Sequence, residues 1–153
     1  MAHSATGFIN GSDLLLYVNT GTPTVPVWTP VAHTTSHSID CSSETKDRMT
    51  KDISANGLWK GKSISGLGVT ITCEALMIYD NSFTFKDLLA KWKTGMAMLL
   101  KYGYKTGVEQ TGDTYEKGEF IISSLSQNTP AGEDGTFSAT FENSGEITTQ
   151  VVV

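Results

Sequence analysis

Ser65-Gly-Leu-Gly-Val-Thr-Ile-Thr-Cys-Glu-Ala75 sets Leu67, Val69, Ile71, Cys73 and Ala75 at every second position, with glycine, threonine and glutamate between them. Successive side chains of a strand point to opposite faces, so this run predicts a strand with one dry side and one wet side. Upstream, Ser36-His-Ser-Ile-Asp-Cys-Ser-Ser-Glu44 reads as a second extended stretch. The charged segment between them, 45–61, is far longer than the two to five residues of an ordinary hairpin turn. It also carries apolar groups for which a solvated loop has little use. It is therefore expected to be an extended arm that meets another subunit, with Arg48, Met49, Lys51, Ile53, Leu58 and Trp59 as the contact candidates.

The same periodicity, followed outward, gives more strands. Asp13-Leu-Leu-Leu-Tyr-Val18 predicts a short buried strand, and Val27-Trp-Thr-Pro-Val31 an edge-like piece in which proline is tolerated. Met96–Tyr104, Tyr115–Ser126 and Thr136–Glu142 follow, separated by stretches dense in glycine, asparagine and proline. One helix is written clearly. Phe85, Leu88, Leu89 and Trp92 share a face, Thr84 and Asp87 have the spacing of a capping box, and Gly95 supplies a stop. About ten residues are too few to stand alone in water, so this face, Trp92 included, must be covered. The expected fold is mainly β: a sandwich or barrel of antiparallel strands with one flanking α-helix and a long β-hairpin arm. It spans residues 1–153 as a single domain, with 1–8 and 148–153 flexible.

The charge of −5 is unevenly spread. Residues 44–106 hold ten Lys/Arg against six acids, whereas 107–153 hold eight acids against Lys117 alone. Unlike potentials orient encounters, so such a molecule can dock head to tail on copies of itself. The basic excess is modest and interleaved with acids, which argues against a nucleic-acid binder. No run reaches the roughly 18 apolar residues that span a bilayer, and no membrane partner is expected. The N-terminus lacks the basic and apolar regions of a signal peptide, which points to synthesis for the cytoplasm. Cys41 and Cys73 are accordingly read as reduced, partly buried thiols.

Catalytic signatures are missing. Gly57-Leu-Trp-Lys-Gly-Lys-Ser63 approaches a phosphate loop, but Asn56 stands where the first glycine belongs, and a strand follows where a helix is required. His33 and His37 would lie roughly 13 Å apart in an extended chain, too far to share a zinc ion. There is no Gly-x-Ser-x-Gly elbow, and Glu133-Asp134 reads as turn chemistry. No catalytic residue, metal or cofactor is expected, and the chain is not read as an enzyme.

As a whole the pattern resembles the major tail tube proteins of long-tailed bacteriophages, in particular the group typified by a lactococcal phage tail protein. The resemblance is carried by Gly11–Val18, Trp28–Ala32, Ser36–Asp40, the charged arm, Ser63–Ser65 and Gly135–Phe141 with the following Gly145. Its specificity lies in their order and spacing. It implies a β-sandwich flanked by a helix, six copies closing into a ring around an open channel, and rings stacking into a virion tail tube. The arm would reach an adjacent ring or subunit. Partners would be the protein itself, the tape measure and the tail tip, with DNA passing through the lumen unbound, and assembly would take place in the host cytoplasm. The ending Gln150-Val-Val-Val153 departs from that pattern. A conduit for DNA should avoid a basic wall, since neutralising phosphates binds DNA tightly. Glu116, Glu119 and the Ser/Thr faces of the Lys62–Glu74 and Tyr115–Ser126 strands are therefore the expected lumen residues.

Two other readings compete. A carbohydrate-binding or adhesin-like sandwich would use Trp28, Trp59 and Trp92 as stacking platforms, though Trp92 is placed in the core. A small hydrolase would need a pocket with perturbed acids.

Overall fold

Alternation along the chain becomes an antiparallel sheet with one continuous path. The computed structural model describes residues 7–31, 33–48, 61–78 and 83–153. A 3₁₀ turn at Gly11–Asp13 leads into β1 (Leu14–Asn19), then β2 (Trp28–Pro30), β3 (Thr34–Arg48) and β4 (Gly61–Leu76). Helix α1 (Phe85–Thr94) follows, then β5 (Met98–Tyr104), β6 (Thr114–Asn128), β7 (Thr136–Asn143) and β8 (Thr148–Val151). The order across the sheet is β2-β1-β5-β6-β7-β4-β3, with β8 pairing on β6.

The sandwich is one sheet folded over on itself, and β6 makes the fold. Its first half, Glu116–Phe120, pairs with β5, while its second half, Phe120–Asn128, pairs with β7. A bulge at Ser123, between the Ile122 and Ser124 rungs, bends the strand where the partner changes. As a result β3, at the far end of the path, lies over β5, and the His37 ring meets Tyr102 edge-on with centroids 6.0 Å apart. Between the layers sit Leu16, Val18, Leu100, Phe120, Phe137, Ala139, Phe141, Ile71, Cys73 and Leu88. Burying a side chain of this size contributes about 1.5–3 kcal/mol, so this core carries the stability.

α1 closes one side of the core through Leu88 and through Phe85, whose ring lies 5.6 Å from that of Phe137. Its ends are fixed as their sequence implies. Asp87 Oδ2 accepts the Thr84 N–H at 3.0 Å, and Gly95 adopts φ 67°, the left-handed stop that a Cβ would strain. Trp92 corrects the expectation, because it is 49% exposed and not in the core. The helix packs through its first half, and its last turn extends beyond the layer beneath it.

The expected arm is in part a ladder. Thr45–Arg48 pairs with Ile64–Gly61, after a bulge that takes up Ser65. β7 reaches along β4 only as far as Thr70, so the outer rungs of β3 and β4 project past it as a two-stranded ribbon. There the dry side of β4 loses its cover, and Leu67 and Ile64 are 74% and 63% exposed. The 148–153 segment contributes a strand. Thr148–Val151 forms β8 on Thr114–Lys117, and Thr149 Oγ1 donates to the Glu116 carboxylate at 2.9 Å.

Candidate functional site

Two faces of the folded sheet differ in chemistry, and strand parity decides which residue belongs to which. On the β6–β7–β4–β3 half, the inner positions are Leu125, Phe137, Ala139, Phe141, Val69, Ile71, Cys73, His37 and Ile39. The outer positions are Ser36, Ser38, Asp40, Ser42 and Glu44 on β3 and Gly68, Thr70, Thr72 and Glu74 on β4. On β7 they are Thr136, Ser138, Thr140 and Glu142, and on β6 Ser124, Ser126 and Asn128. Ile121 and Leu76 are the large apolar side chains of that face. No lysine or arginine occurs in 36–44, 66–76, 121–128 or 136–143. The face is hydroxylic and acidic, with a shallow dent of about 270 Å³ near Thr35, Glu74, Ser126 and Ser138.

On the other half, one basic group is tied down. Lys101, on the outer side of β5, is 9% exposed, with its ammonium 4.4 Å from the Tyr115 ring centre, 5.4 Å from Tyr17 and 6.0 Å from Trp28. A cation over such rings is attracted by their quadrupoles. Glu109 Oε2, at 3.6 Å, completes the enclosure. Thr106 N–H donates to the Tyr17 hydroxyl at 2.8 Å, which holds the 105–113 loop over the cluster. Gly103 makes the enclosure possible, because a Cβ there would come within 2.7 Å of Tyr115 Cβ.

The sequence-predicted lumen pair separates. Glu116 and Glu119 are three apart in an unbroken stretch of β6, so they point to opposite sides. Glu116 shares the inner side with Phe120 and borders an apolar cleft of about 220 Å³ lined by Ile39, Cys41, Val69, Tyr102 and Ile147. Glu119 shares the outer side with Ile121 and is exposed. A single face of β6 can present only one of them, and the outer face presents Glu119. Asp40, Glu44, Glu142 and the β7 hydroxyls, which share the outer face, were not singled out from the sequence. The signal was present in Thr136-Phe-Ser-Ala-Thr-Phe-Glu142, whose polar positions alternate with the core phenylalanines.

Of the arm candidates, Arg48 occupies the last described rung, paired with Gly61, and is exposed. Met49, Lys51, Ile53, Leu58 and Trp59 lie outside the described residues. Gly61–Ser63 is strand, so the near phosphate loop has no helix to open. Among the described residues no group of three or more His, Cys, Asp or Glu converges as metal ligands.

The cysteines also divide. Cys73 is buried and Cys41 exposed, contrary to the reading of both as partly buried. Cys41 pairs with Val69 and Cys73 with His37, so they stand four rungs, about 14 Å, apart along the strands. That exceeds the roughly 7 Å Cα separation a disulfide spans. Burial pushes the Cys73 thiol up to about 11, lowers the His37 imidazole below 6.5 and raises the Tyr102 phenol. All three stay uncharged at neutral pH.

Comparison with known proteins points one way. The structure is similar to the tail of an empty gene transfer agent particle determined with C6 symmetry, with TM-score 0.72 and 15% identity over 94% of this chain and 99% of that one. It is similar to the SPP1 tail tube, with TM-score 0.72 and 8% identity over 95% of this chain and 80% of that one. The sheath/tube terminator of an extracellular contractile injection system matches with TM-score 0.63 and 11% identity over 96% and 99% of the two chains. No curated protein sequence matches the chain. The family model described as phage tail tube protein matches residues 8–149. The chain therefore belongs to the phage tail tube protein family.

Proposed function

We propose that the chain is the repeating structural subunit of a virion tail tube, and that the outer face of β6–β7–β4–β3 is the wall of its channel. One observation carries this reading: the face is made of hydroxyls and carboxylates, without a lysine or arginine in the strand segments that build it. A duplex passing such a wall releases no counterions onto it and is not held. The residues that line the channel are then Ser38, Asp40, Thr70, Thr72, Ser138, Thr140 and their neighbours, with Glu119 at the margin and Glu116 turned inward.

Two sheet edges support closure into rings. Among the described residues β3 has no strand on its outer side, and the second half of β6 has none on the side that β5 leaves after Phe120. These edges lie at opposite margins of the same four strands. A copy placed sideways can hydrogen-bond its β3 to the β6 edge of the next, and repetition closes when the rotation divides a full turn. The sixfold symmetry of the gene transfer agent tail supports six copies. The ribbon beyond β7, with Leu67 and Ile64 uncovered, suits contact with another copy, because an isolated two-stranded ribbon is marginal in water. The tape measure and tail tip complete the set of partners. The protein does no bond chemistry in this role.

The test is topographic. Thr140→Cys and Lys93→Cys, each in a Cys41→Ser background, are biotinylated before assembly and probed with streptavidin in the assembled tubes. Biotin at position 140 is expected to be shielded in tubes and available in dispersed subunits, whereas position 93, on the exposed side of α1, stays available in both. Equal capture at position 140 in tubes and in dispersed subunits would remove this face from the channel.

A further inference from the structure

The change of partner along β6 opens a cleft between the layers. β7 accompanies β4 only to the Thr70–Glu142 rung; past it β8 takes over the pairing with β6, while β4 runs on with β3 alone. Among the described residues no strand lies between the Gly61–Val69 stretch of β4 and β8. Here the layers part over about 220 Å³. Leu100 and Phe120, both buried, make the floor, and Ile39, Val69 and Ile147, half-buried, make the walls. Cys41 and Glu116 stand exposed at the rim. Glu116 is the one charged side chain of the lining, and its carboxylate is held by the Thr149 hydroxyl at 2.9 Å.

The same chain carries a side chain suited to this cleft. Phe8 is 108% exposed, the only aromatic group left wholly in water among the described residues. It belongs to no strand and precedes the 3₁₀ turn, which Asn10 anchors by accepting the Ser12 N–H at 3.0 Å. Gly7, at φ 122°, and Gly11 flank the segment, with open space around both. Phe8 is thus presented outward, and its full exposure shows that the cleft of its own copy does not take it. A dry cavity of roughly 150 Å³ accepts benzene, so the cleft has room for a phenyl ring and its methylene. The ring's positive edge also suits the Glu116 carboxylate at the rim, which an aliphatic side chain would not. A protruding apolar group and a matching pocket elsewhere on one molecule make a heterologous contact between copies. We infer that Phe8 of one copy seats in the cleft between Ile39, Val69 and Ile147 of a neighbouring copy. The inference rests on the tube reading and names an aromatic anchor within it, one whose burial waits for assembly.

Disulfide capture tests it. Phe8→Cys subunits are mixed as a minor fraction with wild type, assembled into tubes and oxidised with diamide. The introduced thiol is expected to join Cys41 of a wild-type copy, giving a dimer on non-reducing gels. That dimer should be missing from dispersed subunits, and from tubes in which Cys41→Ser copies replace wild type. Phe8→Ser should raise the critical concentration for tubes by about tenfold or more, with Phe8→Leu between it and wild type. Val69→Phe, which fills the cleft from within, should weaken assembly likewise, and adding Phe8→Ser to it should cause little further loss. Phe8 is exposed in the single copy, so the circular dichroism of Phe8→Ser should match wild type. The inference is overturned if oxidised tubes yield no Cys41-dependent dimer, or if the introduced thiol closes a disulfide within its own chain. Assembly of Phe8→Ser at the wild-type concentration would overturn it equally. Wild-type protein that makes no tubes would instead reject the tube reading itself, and this one with it.

Discussion

Individual side chains on the dry side of the sheet define what the protein tolerates. Cys73 has no exposed surface and its thiol is pushed up to about 11, while Cys41 is exposed three residues before the ribbon's bulge. Native protein is expected to take one maleimide, at Cys41, and a second only when unfolded, read as intact mass with and without denaturant. His37 packs against Tyr102 and resists protonation because burial disfavours the imidazolium, so its folded pKa lies below 6.5. The unfolded chain therefore binds the proton more readily. Stability is full above about pH 6.5, declines as the pH falls below it, and levels off once the folded value is passed. Urea midpoints at pH 7.5 and pH 5.5 should converge in His37→Gln relative to wild type. The opposite parity of Glu116 and Glu119 was legible at this scale, since residues three apart in an unbroken strand cannot share one side. The exposure of Trp92 was not legible, because periodicity gives a helix face but not how much of its length the sheet covers.

At the scale of elements, close approach decides where glycine is obligatory. A Cβ at Gly103 would strike Tyr115 at its own Cβ, an atom that cannot move without the backbone. A Cβ at Gly118 would meet chiefly Ile147 Cδ1, the far end of a flexible side chain, with the Glu146 carbonyl oxygen next at 3.2 Å. Gly103→Ala should therefore cost more than Gly118→Ala, within the roughly 1–3 kcal/mol of overpacking, as measured by chemical denaturation. Gly118→Ala should recover in part when Ile147 is shortened to Val, and Gly103→Ala should not. The capping residues of α1 and the alternation of β4 and β7 were readable because they are local. β8 escaped the sequence reading for the opposite reason. Thr148-Thr-Gln-Val151 has little pattern of its own and becomes a strand only beside Thr114–Lys117. The folding-over at β6 was equally hidden, since no residue states that the two halves of one strand serve different neighbours.

At the scale of the whole molecule, the proposed wall is a matter of charge that no single residue determines. Making it basic should leave assembly intact and change what passes through. Tubes of T72K/T140K are expected to retain duplex DNA at low salt and to release it as salt rises, whereas wild-type tubes retain less, measured by co-sedimentation. Equal retention by the two would mean that these positions do not meet the DNA. The fold class and the family were within reach of the sequence because both depend on the order of strands. Of the outer face, the hydroxyl positions of β4 and β6 could be read by alternation, but assigning β3 and β7 to the same side requires the pairing.

β6 has one further consequence, mechanical in kind. The layer of β1 and β5 and the layer of β7, β4 and β3 are stitched to opposite halves of this single fifteen-residue strand. A tension along β6 passes from one layer to the other through a covalent backbone, and a load in that direction shears its rungs together instead of unzipping them one by one. The bulge at Ser123 is the place where that tie can flex.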